Sequence, residues 1–229
     1  MDSKERHEVV REAKLLQKVD NRHIIKCYDS WIEQGEFYIC LELCTNGDLA
    51  GVIREQSQNN SRLRPAIVWL YSYQLADALR HMKQNHMMHR DVKPANVFLG
   101  EGGNLKLGDL GLGRLFSSRT LECTTVVGTP YYMAPEADIW SLGCVIYELC
   151  NLASPFWEKN VNLYALRMRI CKGVYAPVDE IYGGPIRALV SAMVNLDTAA
   201  RPDVDQVRQV CWENAVALRA ELPEHMQPT

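Results

Sequence analysis

Residues 89–98 read HRDVKPANVF, so a histidine, an arginine, an aspartate, a lysine and an asparagine crowd into positions 89–96. Asp91 can orient a hydroxyl group and take its proton. Lys93, two residues on, can sit over a moving anionic group. Asn96, five residues after Asp91, can offer its carbonyl oxygen to a hard cation such as Mg²⁺, which prefers carboxylates, carbonyls and water. A second carboxylate, Asp109, follows thirteen residues later in Asp109-Leu110-Gly111, and GTPYYMAPE stands at 128–136. These are the parts that phosphoryl transfer from a nucleotide requires. Its transition state is loose and negatively charged, so positioning and charge stabilisation carry the catalysis.

The segments around the loop read as elements able to position it. Residues 5–19 place Val9, Ala13 and Leu16 on one helical face, with Glu, Arg and Lys opposite. IIKCYDSWI and EFYICLEL, separated by Glu33-Gln34-Gly35, read as an antiparallel pair. Asn46-Gly47-Asp48 breaks that pattern and can cap a short helix over 49–54, followed by an exposed loop EQSQNNSRLR. Pro65 suits a helix start, and Val68, Leu75, Leu79 and Met82 continue the period to about Lys83. NVFLG and NLKLG, joined through GEGG, read as a small hairpin. IWSLGCVIYEL, 139–149, is apolar nearly all round and reads as a buried central helix. Further helices are expected over 160–172, 184–195 and 203–220.

The 229 residues suffice for one large domain or two small lobes. A net charge of -3 gives no basic excess for nucleic acid, and no apolar run approaches the ~20 residues of a membrane span. The charged start MDSKERHEVV lacks the apolar core of a signal peptide. A cytoplasmic or nuclear location is therefore expected. The eight cysteines, none in a C-x-x-C pair, read as reduced thiols acting as small core residues. His81, His86 and His89 lack cysteine or carboxylate partners at ligand spacing, so they do not read as a metal site.

HRDVKPAN has the H-R-D-x-x-x-x-N spacing of a protein-kinase catalytic loop. Together with DLG and APE it makes the chain resemble eukaryotic protein kinases, and among them the NIMA-related (NEK) Ser/Thr kinases. KLGDLGLGRLFSS, VVGTPYYMAPE and DIWSLGCVIYELCNLASPF are similar to the short members, and DLG in place of DFG points the same way. The resemblance implies an α+β kinase fold. Residues 1–44 would be a remnant of the small lobe (helix C, two strands and the hinge), and 45–229 the mainly helical large lobe. It implies ATP and Mg²⁺, with Asp91 as base, Lys93 as phosphate cation, and Asn96 and Asp109 as metal ligands. Leu41 would be the gatekeeper, Glu42 and Cys44 would present hinge backbone to adenine, and Phe98 would pack beneath the ring. Glu12 would be the helix C glutamate, and Leu16 a spine residue. Thr125 would be the activation phosphosite, ordered through Arg90 when phosphorylated. His89 would be structural, as would Glu136, which in such kinases pairs with Arg201. Lys93 and Thr129 imply Ser/Thr acceptors in protein substrates, and Leu112 leans toward Ser. An upstream kinase or regulatory partner is implied, as is work at centrosomes or microtubules in mitosis.

The sequence departs from that pattern in two places. No G-x-G-x-x-G precedes Glu12, since Gly35 is the first glycine, and no lysine stands on a strand ahead of it. Loss of one preorganised charge-stabilising donor costs about 2.7–4 kcal/mol of barrier in other enzymes. APE also runs directly into DIWSLG, where kinases place a connecting loop, so Glu136 is expected to be drawn toward Asp138 and away from Arg201. Stranding one partner of a buried pair costs about 3–5 kcal/mol. The expectation is a kinase of impaired activity, or a non-catalytic kinase-fold interaction module.

Overall fold

The computed structural model describes residues 17–109, 137–158 and 162–227. Strands β1 (Cys27–Glu33) and β2 (Glu36–Leu41) pair antiparallel around a turn at Gln34-Gly35, with Ser30 opposite Ile39 and a register shift between Cys27 and Asp29. Trp31 stacks on its cross-strand partner Tyr38 at 5.5 Å. Residues 17 and 18 form a turn, so the described end of the segment expected to be helical over 5–19 is not helix.

Helix α1 spans Leu49–Gln58 and α2 spans Pro65–Gln84. Asp48 caps α1 by accepting from Gly51 N at 2.7 Å. The helix runs four residues beyond the expected end, taking in Glu55-Gln56-Ser57-Gln58. Those side chains are compatible with helix, and Ile53 is buried one turn before them, so polarity alone did not make a loop. Strands β3 (Val97–Leu99) and β4 (Leu105–Leu107) form the second hairpin. Helices α3 (Ala137–Asn151), α4 (Leu163–Lys172), α5 (Gly183–Met193) and α6 (Val204–Ala217) complete the α-helices of the described residues. The helices expected from residue 49 onward are each present within a few residues of their anticipated ends, whereas residues 5–16 of the first expected helix lie outside the described residues.

The core lies between α2 and α3. Val68, Leu75 and Ala78 of α2 are fully buried, as are Trp140, Leu142 and Ile146 of α3. Trp140 stacks on Phe156 at 5.8 Å, and Tyr175 meets Phe156 edge-on. A Cβ at Gly143 would lie 2.8 Å from Met193 Cβ, so α3 and α5 approach closely because this residue has no side chain. On the other flank, Asp77 of α2 accepts from Asn21 Nδ2 at 3.0 Å and from Arg208 Nε of α6 at 2.6 Å. Burial alone would raise the Asp77 carboxyl pKa, but these donors outweigh it and hold the group below its ordinary value. Cys27, Cys144, Cys150 and Cys211 are buried free thiols, whereas Cys40 and Cys171 are exposed. The core role expected of the cysteines therefore holds for part of the set. No helix among the described residues is long and apolar enough to cross a membrane.

Candidate active site

The HRD loop hangs between α2 and β3, and three contacts fix its backbone. Asp138, in the first turn of α3, accepts from His89 N at 2.8 Å and from Arg90 N at 2.7 Å. His89 is buried, and its Nε2 lies 2.9 Å from the carbonyl oxygen of Gly108. Its Nδ1 accepts from Asp91 N at 3.3 Å, which assigns the proton to Nε2. Burial pushes the His89 pKa down, partly opposed by the Gly108 carbonyl and by Asp138, Asp91 and Asp109. The ring is thus a neutral strut between the HRD loop and the end of β4. Arg90 takes φ 66°, the left-handed region that non-glycine residues seldom occupy. Its position between two anchored residues holds it there.

With the backbone fixed, the functional side chains converge. Lys93 Nζ lies 2.6 Å from Asp91 Oδ2, and Asn96 Nδ2 donates to the same oxygen and to the Asp91 carbonyl, each at 2.9 Å. The Asp91 side chain keeps 29% of its accessibility and Lys93 keeps 21%, so the pair opens toward solvent. Asn96 ends a short 3-10 turn, Pro94–Asn96, from which β3 starts. Its backbone oxygen accepts from Gly108 N at 2.9 Å, which ties Asn96 to the residue before Asp109. Asp109 is exposed at φ 56° and has no side-chain hydrogen bond among the described residues. The nitrogen end of the Asn96 amide faces Asp91, so the oxygen end remains for a cation. An amide oxygen and a carboxylate with no hydrogen bond among the described residues are hard donors that fit Mg²⁺ bound partly by substrate phosphates and water. Among the described residues no cluster of three or more His, Cys, Asp or Glu side chains could hold a metal by itself.

The expected adenine-side residues lie next to this hairpin. Leu41 ends β2, and Glu42 follows with its N–H donating to Lys26 O at 2.9 Å. The Glu42 carboxylate pairs with Lys106 Nζ at 2.8 Å, while Cys44 is half-buried. Lys106 on β4 is the register partner of Phe98 on β3, so Phe98 lies beside the Glu42–Lys106 pair. A Cβ at Gly108 would fall 2.8 Å from Phe98 Cε2 and 2.7 Å from Ile25 Cδ1, so only glycine fits against the ring. The structure thus brings Asp91, Lys93 and Asn96 together, with Asp109 joined to them through Gly108. Arg201 lies elsewhere: its Nε donates to Asn195 O at 2.8 Å and its guanidinium covers the Trp140 ring at 4.9 Å. Glu12, Thr125 and Glu136 lie outside the described residues, as does the expected displacement of Glu136 from Arg201.

Sequence reasoning missed Asp138, Gly108 and Lys106. Asp138 is the acidic residue in the first turn of a mostly apolar helix, which was a signal that its carboxylate serves something outside that helix. The Lys106–Glu42 pair left none, because 64 residues separate its members.

A protein kinase domain profile matches residues 1–213. The chain belongs to the protein kinase domain family. Probable serine/threonine-protein kinase nek2 of Dictyostelium discoideum is 35% identical over 222 residues, 90% of this chain and 52% of that protein. Serine/threonine-protein kinase Nek2 of Homo sapiens is 35% identical over 224 residues, 90% of this chain and 50% of that protein. Serine/threonine-protein kinase Nek3 of Oryza sativa subsp. japonica is 37% identical over 209 residues, covering 86% and 35%. The chain spans about half the length, or less, of these relatives. The small antiparallel hairpin followed by a helical body agrees with the kinase architecture expected from the motifs.

Proposed function

We propose that the chain is the catalytic portion of a NEK-type Ser/Thr kinase that transfers the γ-phosphate of ATP to hydroxyls of protein substrates. The observation that carries this reading is the Asp91 carboxylate, which bonds to Lys93 Nζ and Asn96 Nδ2 and opens toward solvent. In this reading Asp91 orients the acceptor hydroxyl and takes its proton as the oxygen–phosphorus bond forms. Lys93 stabilises charge on the transferring phosphoryl group. Asn96 and Asp109 hold Mg²⁺, which when bound neutralises charge on the nucleotide phosphates. Leu41, Glu42, Cys44 and Phe98 receive adenine. Thr125 accepts an activating phosphate from an upstream kinase and orders its segment through Arg90. Leu112 favours serine acceptors, and the protein works in the cytoplasm, at centrosomes or microtubules during mitosis.

Low activity of the 229-residue polypeptide is part of this reading. The second reading is a non-catalytic kinase-fold interaction module. Thermal unfolding of the purified chain with increasing Mg²⁺-ATP separates the two. Binding raises stability as RT ln(1 + [L]/Kd), and slow phosphate transfer to casein, abolished by Asp91→Asn, completes the first reading. A folded protein with neither a shift nor transfer sinks it and leaves the second.

A further inference from the structure

Helix α4 buries one face and leaves an unusual one outside. Leu166 and Ile170 point into the core at 3% and 8% exposure, whereas Tyr164 and Leu163 are 74% and 64% exposed. Met168 is 39% exposed, and Cys171 and the following Val174 are exposed as well. Tyr164, Met168 and Cys171 recur at spacings of four and three, which lines them up as one stripe on the solvent side. Arg167 and Lys172 are exposed and fall on either side of that stripe. Neither basic side chain makes a hydrogen bond or ion pair among the described residues, whereas Arg169, on the other side of the helix, pairs with Glu158. In heptad terms Tyr164, Met168 and Cys171 take positions d, a and d, with Arg167 at g and Lys172 at e. The helix is fixed for this role, capped by Asn162 at its start and by Gly173 at φ 62° at its end.

We propose that this face docks an α-helix of a protein partner, one whose apolar seam is flanked by Glu or Asp. Ten residues of helix present about 15 Å of seam, enough for some three turns of side-by-side packing. The basic pair selects the partner. A second copy of this chain would bring Arg167 or Lys172 against the same residues in either orientation, and like charges at e and g disfavour that pairing. An acidic helix meets a cation on both sides. The proposal is independent of catalysis, since α4 carries none of the residues placed in the phosphoryl-transfer site.

The test uses a labelled 21-residue peptide with Leu at a and d and Glu at e and g, and its counterpart with Lys at e and g. Fluorescence anisotropy follows each against the full chain. The acidic peptide is expected to bind at least tenfold tighter than the basic one, more weakly as salt rises. Tyr164→Ser should weaken it tenfold or more. Arg167→Glu combined with Lys172→Glu should reverse the preference between peptides. Because all three side chains are exposed, circular dichroism should show each variant folded. Equal binding of the two peptides, no binding of either, or unchanged binding by Tyr164→Ser would overturn the proposal. Sedimentation showing a dimer that Tyr164→Ser dissolves would also overturn it, by seating a second copy on the face.

Discussion

Replacing Asp138 with alanine removes the acceptor for two backbone N–H groups at once, those of His89 and Arg90 at 2.8 and 2.7 Å. Hydrogen bonds to a charged group contribute about 1.5–3 kcal/mol each. The Arg90 bond lies near water, which can replace part of it, while the His89 bond is partly buried. The expected loss for Asp138→Ala is therefore about 2–4 kcal/mol. Asp138→Asn keeps one acceptor oxygen and loses the charge, so it should fall near half of that. The loop has a reason to move once released, because Arg90 at φ 66° occupies a region that costs about 1–2 kcal/mol. Relaxation there would turn Asp91 away from Lys93 and Asn96. Urea unfolding gives the stability change, and amide hydrogen exchange at His89 and Arg90 reports the two bonds directly. An alanine variant within about 0.5 kcal/mol of wild type, with His89 exchange unchanged, would refute the claim that Asp138 holds the loop.

Other expectations follow from the packing. Gly143→Ala adds a favourable helix residue but puts a methyl 2.8 Å from Met193 Cβ and 2.9 Å from Val194 Cγ2, so a net loss of about 1–3 kcal/mol is expected in the same unfolding assay; a gain would show that α5 yields easily. His23 is buried, with Nδ1 3.2 Å from Leu105 O, and burial lowers its pKa from the ordinary 6.5 despite that carbonyl and Asp77. The unfolded chain then binds the proton first, so stability is fully present above pH 6.5 and declines as pH falls toward the folded value. His23→Asn should flatten that slope in unfolding midpoints taken between about pH 5 and 8, and an unchanged slope would remove His23 from the account. Iodoacetamide should label Cys40 and Cys171 in the native state and spare Cys211, whose thiol burial pushes up to about 12; mass spectrometry of tryptic peptides distinguishes them. Early labelling of Cys211 would mean that α6 opens without global unfolding.

Much of the site was legible because its parts are close in sequence. Asp91, Lys93 and Asn96 fall within six residues, and the Pro94 turn folds Asn96 back onto Asp91, so spacing alone carried the geometry. Asp48 was readable as a cap for the same reason. Asp138 was not, because its task is set by the arrival of residues 48 and 49 positions earlier in the chain. The end of α1 was misjudged since a polar run can be an exposed helix as readily as a loop, and the burial of Ile53 settles which. Gly108 stood in the sequence only as the end of the NLKLG strand, and only the Phe98 ring and Ile25 show why nothing larger fits.

Strand β4 has a neighbour on each side. β3 pairs with it along one edge, while Leu107 N donates to His23 O and Ile25 N to Leu107 O along the other. The first of those edges closes a hairpin of a few residues. The second brings residues 23–25 against Leu107, and beside it the His23 ring meets Leu105 O across 82 positions. On a ribosome adding about 5–20 residues per second, His23 is made roughly 4–16 s before Leu105 exists. Through that interval Ile24 and Ile25, both buried in the finished protein, lack the strand that later pairs beside them. Birth of the nascent chain is thus the moment of greatest exposure for the segment that later pairs along the far edge of β4.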